Sequence, residues 1–166
     1  MPLSIRVAVP ADVPVVAELF DLYRQFYEQA PDASTARTFI ADRMARGESV
    51  ILLAEATDTQ AALGFCQLYP SFCSVEAQPI YVLYDLFVLP AARKMGAGRA
   101  LLLAAHARAV ADGKARMDLT TARTNQTAQA LYESLGWVRD DVFLAYSRRV
   151  VPDGSGQGFA EQGQHA

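Results

Sequence analysis

The stretch 81–103 constrains the fold more than any other part of the chain. A strand-like run over residues 80–88 passes through Pro90 into Arg93-Lys94-Met95-Gly96-Ala97-Gly98-Arg99 and then into the helical Ala100-Leu101-Leu102-Leu103. The run is apolar on both sides of its alternation except at Asp85, the pattern of a central strand covered by helices on both faces. Glycines at 96 and 98 let a backbone approach an anion closely. The unpaired N–H groups of the following helix point at the same place, and Arg93 and Arg99 flank it. Together these features predict a pyrophosphate cradle. A dinucleotide-binding loop is the alternative, but its third glycine would fall at 101, where the chain has Leu101; Asp118 does lie roughly twenty residues on, where a ribose-binding acid is expected.

Around this centre the chain reads in order as a run of alternating elements. Residues 3–9 suggest a first strand. Asp12 is a candidate N-cap with Pro14 in the first turn, and Val16, Leu19, Phe20, Tyr23 and Tyr27 recur at helical spacing to about Gln29. Pro31 breaks that helix, Asp32 or Ser34 caps a second, and Gly47 ends it. Residues 49–56 and 62–69 form a hairpin, 70–79 a loop expected over the active site, and 80–88 the central strand. A helix from Gly98 to about Ala111 stops at Gly113, a strand covers 115–121, and a helix begins at Asn125, with Ala128, Leu131, Tyr132 and Leu135 on one face. Gly136 and Trp137 end that helix, and 142–150 alternates again as a final strand. Residues 151–166, rich in Gly, Gln and Ser, are expected to be a mobile tail.

With 166 residues, 52% of them hydrophobic, the chain suits one domain, residues 1–150, with a single core. No apolar run approaches the roughly twenty residues needed to span a bilayer, and the N-terminus lacks a signal-peptide core, so a cytoplasmic location is expected. Cys66 and Cys73 have neither metal-ligand spacing nor a secretory context and are expected as free, packed thiols; no metal is expected. The net charge of -3 gives no footprint for nucleic acid and favours a cationic substrate. A Ser-His-Asp hydrolase is poorly supported, because His106 on a helix is the only histidine outside the tail.

Arg93-x-x-Gly96-x-Gly98 after a strand ending Leu86-Phe87-Val88 resembles the acyl-CoA loop of the GNAT superfamily of N-acetyltransferases. Asn125-x-x-Ala128-x-x-Leu131-Tyr132-x-x-Leu135-Gly136-Trp137 resembles the last core helix of that family, in the right order and at the expected distance. The resemblance implies an α/β fold: a mixed, twisted GNAT-type sheet of about seven strands with helices on both faces, in the order β-α-α-β-β-β-α-β-α-β. It also implies that acetyl-CoA is the co-substrate, held by Leu86, Phe87, Val88, Arg93, Lys94, Met95, Gly96, Ala97, Gly98, Arg99, Ala100 and Asn125. Its pantetheine arm would lie along the strand like an added strand. Leu83, Leu86 and Val88 break the period of two between 83 and 86, consistent with a bulge that turns backbone N–H groups toward the thioester oxygen.

The resemblance further implies direct transfer of the acetyl group to a primary amine, without an acyl-enzyme. A backbone donor at Phe87 or Val88 would bind the oxyanion. Tyr132 would protonate the departing thiolate, and Asp85, through water, would take the proton of the amine. Each has a plainer reading: Tyr132 as core, Asp85 as a satisfied structural carboxylate, Asn125 as a helix cap. Phe26, Tyr27, Glu28 and Tyr84 resemble acceptor-site residues by position, with packing on the core face of the helix as the plainer reading of Phe26, although family members acting on polyamines commonly carry a carboxylate where this chain has Tyr84. Gln67-Leu68-Tyr69-Pro70-Ser71-Phe72 is similar to bacterial members near the diamine and polyamine acetyltransferases. The expected acceptor is therefore a small cationic amine or polyamine, with protein lysine or an amino acid, or an inactive acyl-CoA-binding module, as alternatives. Neither membrane nor nucleic acid is an expected partner; a second copy in a homodimer is compatible with the sequence.

Overall fold

The computed structural model describes residues 2–152 and divides them into two compact units, the first running to Thr120 and the second beginning at Thr121. The first unit is a five-stranded sheet in the order β1-β2-β3-β4-β5, with β1 at Leu3–Val7, β2 at Val50–Ala56, β3 at Ala62–Cys73, β4 at Gln78–Val88 and β5 at Met117–Asp118. The first four strands pair antiparallel in sequence; β5 joins β4 in parallel. Three helices cover the sheet: α1 at Val13–Phe26, α2 at Ala33–Ala45 and α3 at Ala97–Ala111.

Which helix covers which face follows from alternation along the strands. Ile51, Leu53, Phe65 and Phe87 are buried in one cluster with Val16, Leu19, Phe20 and Tyr23 of α1 and Ala36 and Ile40 of α2. The intervening Leu52, Cys66 and Leu68 therefore face the other way, where α3 packs against β1 to β4 with Leu101, Leu102, Ala105 and Ala109 buried. In β4 the alternation changes sides once. Gln67 pairs with Asp85 and Leu68 with Leu83, which leaves Tyr84 as an extra residue, the bulge expected between 83 and 86. Leu83 consequently shares α3's face, whereas Asp85 and Phe87 turn toward α1 and α2.

Local chemistry explains most boundaries and corrects several. Asp32 caps α2 by accepting from Thr35 N–H at 3.0 Å. Asp12 does not cap α1; its carboxylate is taken by the Arg6 guanidinium and by Val9 N–H, which holds it below the usual carboxylate range. Residues 70–79 are no loop, because β3 and β4 extend as a hairpin whose turn is only residues 74–77. Pro70 is tolerated within β3 because β2 pairs no farther than Leu68, so that beyond it one edge of β3 needs no donors.

Gly64 shows how closely β3 and β4 approach. A Cβ there would lie 2.4 Å from the carbonyl oxygen of Phe87 and 3.0 Å from the Cα of Val88, both backbone atoms that cannot step aside. Gly64→Ala is therefore expected to force the strands apart and to destabilise the protein by about 2 kcal/mol, the usual scale of overpacking. Urea denaturation measures it, and unchanged stability would mean that this contact is looser than described.

The second unit begins with Thr121 and contains α4, Gln126–Ser134. Gly136, at φ 86°, ends the helix as expected, and Trp137 packs back on Tyr132 with ring centroids 6.1 Å apart and the planes tilted by 53°. The expected strand at 142–150 is absent, and the strand expected at 115–121 shrinks to Met117–Asp118, so the described residues form five strands rather than about seven. The physical reason is pairing. A strand needs a paired neighbour for its backbone groups, and β5 pairs with β4 only at Met117 and Asp118. The expected tail lies outside the described residues from 153 onward.

Candidate active site

Asp85 is the chemical centre of the first unit. It is 3% exposed, yet carries a carboxylate into the face covered by α1 and α2. Two polar side chains from neighbouring elements meet it: Gln67 Nε2 donates to Asp85 Oδ2 at 2.5 Å, and the Tyr23 hydroxyl of α1 also hydrogen-bonds the carboxylate. The same hydroxyl lies 3.3 Å from the carbonyl oxygen of Tyr84. Gln67 is itself oriented, since its Oε1 accepts from the Ser49 hydroxyl at 2.8 Å. Burial pushes the Asp85 carboxyl up to about 6, while the bonds from Gln67 and Tyr23 work against that rise. At neutral pH the group is ionised but holds a proton far more readily than a surface aspartate does.

Tyrosines surround this carboxylate. Tyr69 of β3 and Tyr84 of β4 meet edge to face at 5.6 Å, and Tyr23 meets Tyr27 at 5.0 Å. Burial, and after it the negative charge of Asp85, raises the phenols of Tyr23 and Tyr69, so both remain protonated. Aromatic faces beside an ionised carboxylate form an environment that attracts an organic cation.

The second element of the site is the free edge of β4. Only Tyr81 and Val82 are paired with β5, so among the described residues no strand covers the β5 side of β4 from Leu83 to Val88. The direction of the backbone groups there can be read. Leu89 N–H donates to Leu63 C=O on the β3 side, and the Phe87 carbonyl faces Gly64 of β3. By alternation the N–H groups of Leu86 and Val88 point to the open edge, whereas that of Phe87 points into the ladder. Of the two donors expected for an oxyanion, Val88 has the suitable direction.

From this edge the chain passes through a short 3₁₀ turn at Pro90–Ala92 into the glycine loop. Lys94 and Gly96 both take positive φ, 68° and 84°, and Gly96 caps α3 in the left-handed region. The helix starts at Ala97, so Gly98 lies in its first turn rather than at its beginning. The first helical bond is Ala100 N–H to Gly96 C=O, which leaves the N–H groups of Ala97 and Gly98 without a helical acceptor and aimed along the axis. This arrangement can take an anion. Ala97 is buried, Met95, Gly98 and Ala100 are half-buried, and Lys94 and Arg99 are exposed. Arg93 takes a different course: its Nε donates to Val88 C=O at 3.1 Å, and its guanidinium sits 5.7 Å from the Phe26 ring and 5.9 Å from the Phe87 ring. It ties the end of β4 to α1.

Asp85, Tyr84 and Tyr27 are thus drawn to one region with Tyr23 and Phe87, while Glu28 is exposed in the turn after α1, held at φ 62°. In the second unit, Asn125 caps α4 by accepting from Ala128 N–H at 3.2 Å. Tyr132 is 8% exposed, its phenol raised by burial against a hydrogen bond with Thr121, so it is protonated at neutral pH and has a proton to give. Three residues of the carboxylate network were not singled out as functional from sequence: Ser49, Gln67 and Tyr23. Gln67 did leave a signal, being the one amide in an otherwise apolar or aromatic stretch of β3 and standing in register with Asp85.

The profile of the acetyltransferase (GNAT) family matches residues 16–137. An uncharacterised N-acetyltransferase of Bacillus subtilis, YhfO, is 43% identical over 148 residues, covering 89% of this chain and 98% of that protein. The crystal structure of a probable acetyltransferase is 35% identical and superimposes with a TM-score of 0.82 over 91% of this chain and 99% of the other. AAC(6')-Iy, solved in complex with the bisubstrate analogue CoA-S-monomethyl-acetylneamine, shares the fold at 18% identity, with a TM-score of 0.73 over 90% of this chain and 100% of the other.

Proposed function

Because the chain belongs to the acetyltransferase (GNAT) family and is an acyl-CoA-dependent N-acetyltransferase, we propose that it moves an acetyl group directly from acetyl-CoA to a primary amine, with a small cationic amine or polyamine as acceptor. The observation that carries this reading is the buried Asp85 carboxylate among Tyr23, Tyr27, Tyr69 and Tyr84, on the face of β4 covered by α1 and α2. A cationic amine gains there from both the charge and the aromatic faces.

In this mechanism the pyrophosphate of acetyl-CoA lies over the first turn of α3 and the Gly96–Gly98 loop, and the pantetheine arm runs along the open edge of β4. The Val88 N–H stabilises the oxyanion that forms when the amine attacks the thioester carbonyl. The alkylammonium, with a pKa of about 10, first loses a proton to Asp85, directly or through water. The new C–N bond forms, the C–S bond breaks, and Tyr132 gives its proton to the departing thiolate. Asn125 joins its cap to a contact with the cofactor arm, and Tyr27, Glu28 and Tyr84 border the acceptor. Residues 1–150 act as one catalytic domain. The reaction belongs to the cytoplasm, where two free thiols, Cys66 and Cys73, remain reduced.

A screen of polyamines, simple amines, amino acids, aminoglycosides and lysine peptides against acetyl-CoA, read as release of free thiol, tests the acceptor. Cationic amines are expected to exceed neutral or acidic ones in kcat/KM by about tenfold or more, as one desolvated charge contact contributes. Acidic amino acids as best acceptors would overturn the electrostatic reading; lysine peptides as best acceptors would move the substrate class to proteins.

A further inference from the structure

Two donors of different kinds serve the Asp85 carboxylate, and the difference sets its two oxygens apart. Gln67 of β3, fully buried, donates from Nε2 to Asp85 Oδ2 at 2.5 Å. While Asp85 is ionised the amide cannot turn round, because Oε1 would then meet Oδ2, acceptor against acceptor. Its Oε1 instead takes the hydrogen of the Ser49 hydroxyl, at 2.8 Å, from the residue just before β2. An amide N–H only donates, so Oδ2 remains an acceptor whether or not the carboxyl carries a proton. The Tyr23 hydroxyl of α1, by contrast, both donates and accepts. It hydrogen-bonds the carboxylate and also lies 3.3 Å from the Tyr84 carbonyl at the bulge, which gives its hydrogen a second acceptor once the carboxyl is protonated.

We propose that Gln67, steadied by Ser49, is a positioning residue for the reaction: it reserves Asp85 Oδ2 as an acceptor and leaves Oδ1 as the atom that takes the amine proton and then returns it to solvent. The inference rests on Asp85 being the base of the mechanism above. When the amine nitrogen loses its proton to Oδ1, the Tyr23 hydrogen turns to the Tyr84 carbonyl and the Tyr23 oxygen accepts from the new carboxyl; ionisation reverses both moves. Gln67, Tyr23 and the carboxyl each keep a partner in either state, which a buried group that must change its charge in every turnover requires. Among the described residues, the titratable and charged groups around Asp85 come from four elements. α1 brings Tyr23 and Tyr27, β3 brings Tyr69 and, turned toward α3, Cys66, and Tyr84 stands on the strand of Asp85 itself. α2 brings Arg43, which acts on the Tyr69 phenol and pairs with Glu48 at 2.6 Å. Burial raises the phenols of Tyr23 and Tyr69 and the Cys66 thiol, so these stay neutral where Asp85 titrates.

Two readings on the full chain test this. One is the titration midpoint of the Asp85 carboxyl carbon by NMR, its resonance identified by its loss in Asp85→Asn. The other is the acidic limb of kcat/KM with spermidine, or with the amine that leads the acceptor screen. Gln67→Met keeps the side-chain length and removes the donor, so Asp85 is expected to hold its proton to higher pH, and midpoint and limb are expected to rise together by about one pH unit. Ser49→Ala, which loosens the amide without removing it, is expected to move both the same way by less. A Gln67 that only fills space predicts an equal loss of activity at every pH with the midpoint in place, and that result overturns the proposal while leaving Asp85 as the base. A midpoint that moves without the limb overturns the reading of Asp85 as base, and this inference with it. Should Gln67→Met fail to fold, Ser49→Ala carries the test, and an unmoved midpoint there overturns the proposal.

Discussion

Replacing Tyr132 by Phe is expected to slow single-turnover acetyl transfer by a hundredfold or more, about 2.7 kcal/mol in the barrier, while the fold and CoA affinity stay close to wild type. The size of the effect separates a proton donor from a packed ring. Tyr132 is 8% exposed and packs against Trp137, and Phe preserves both properties, so a purely structural role predicts a stability loss of about 1 kcal/mol and a near-normal rate. Burial raises the phenol, so the oxygen carries its proton at neutral pH. Because the hydroxyl is assigned to the sulfur rather than to the pyrophosphate, CoA binding measured by calorimetry should move little. A wild-type single-turnover rate in a stable, CoA-binding variant would remove Tyr132 from the chemistry.

Asp85→Asn is expected to move activity and stability in opposite directions. A carboxyl raised to about 6 in the folded chain binds its proton more tightly there than in the unfolded chain, where it titrates near 4. Its contribution to stability is therefore fully present below about pH 4, declines as the pH rises, and is lost above about pH 6, at a cost to the folded state of about 3 kcal/mol at neutral pH. An amide keeps an acceptor for Gln67 Nε2 and carries no charge, so Asp85→Asn should melt higher than wild type at pH 8, with the difference closing toward pH 4. Acetyl transfer should fall roughly a hundredfold, and the decline of wild-type kcat/KM below about pH 6 should disappear in the variant. A variant that melts lower at pH 8 and retains its activity would make Asp85 a structural carboxylate.

Much of this was legible before any coordinates, for reasons that differ by residue. The strand, glycine loop and helix around 80–103 are specified locally: two glycines, a helical apolar run and one acid in an apolar strand. The bulge showed because side-chain period is a one-dimensional signal, broken between Leu83 and Leu86. The partners of Asp85 did not show, because Ser49, Gln67 and Tyr23 reach it only through register between β2, β3 and β4 and through the docking of α1, which no local pattern encodes. The reading of 70–79 as a loop failed on Pro70, whose usual meaning in a strand is suspended where one edge has no partner. Arg93 illustrates the same limit. Its place after the strand suggested a phosphate ligand, but its contacts with Phe26 and the Val88 carbonyl depend on where α1 ends.

The extra residue at Tyr84 also bears on how this sequence can change in length. Removing it would leave a strict period of two along β4 with every side chain on its present face, because Leu83 and Asp85 already pair with successive residues of β3, Leu68 and Gln67. What the deletion would take away is the bulge itself, with the Tyr84 carbonyl that the Tyr23 hydroxyl meets and the ring that packs on Tyr69. Taking out one residue beyond it, at Leu86, would instead put Phe87 on the side that Leu86 now holds. The bulge therefore shapes the surroundings of the carboxylate without deciding which face carries it.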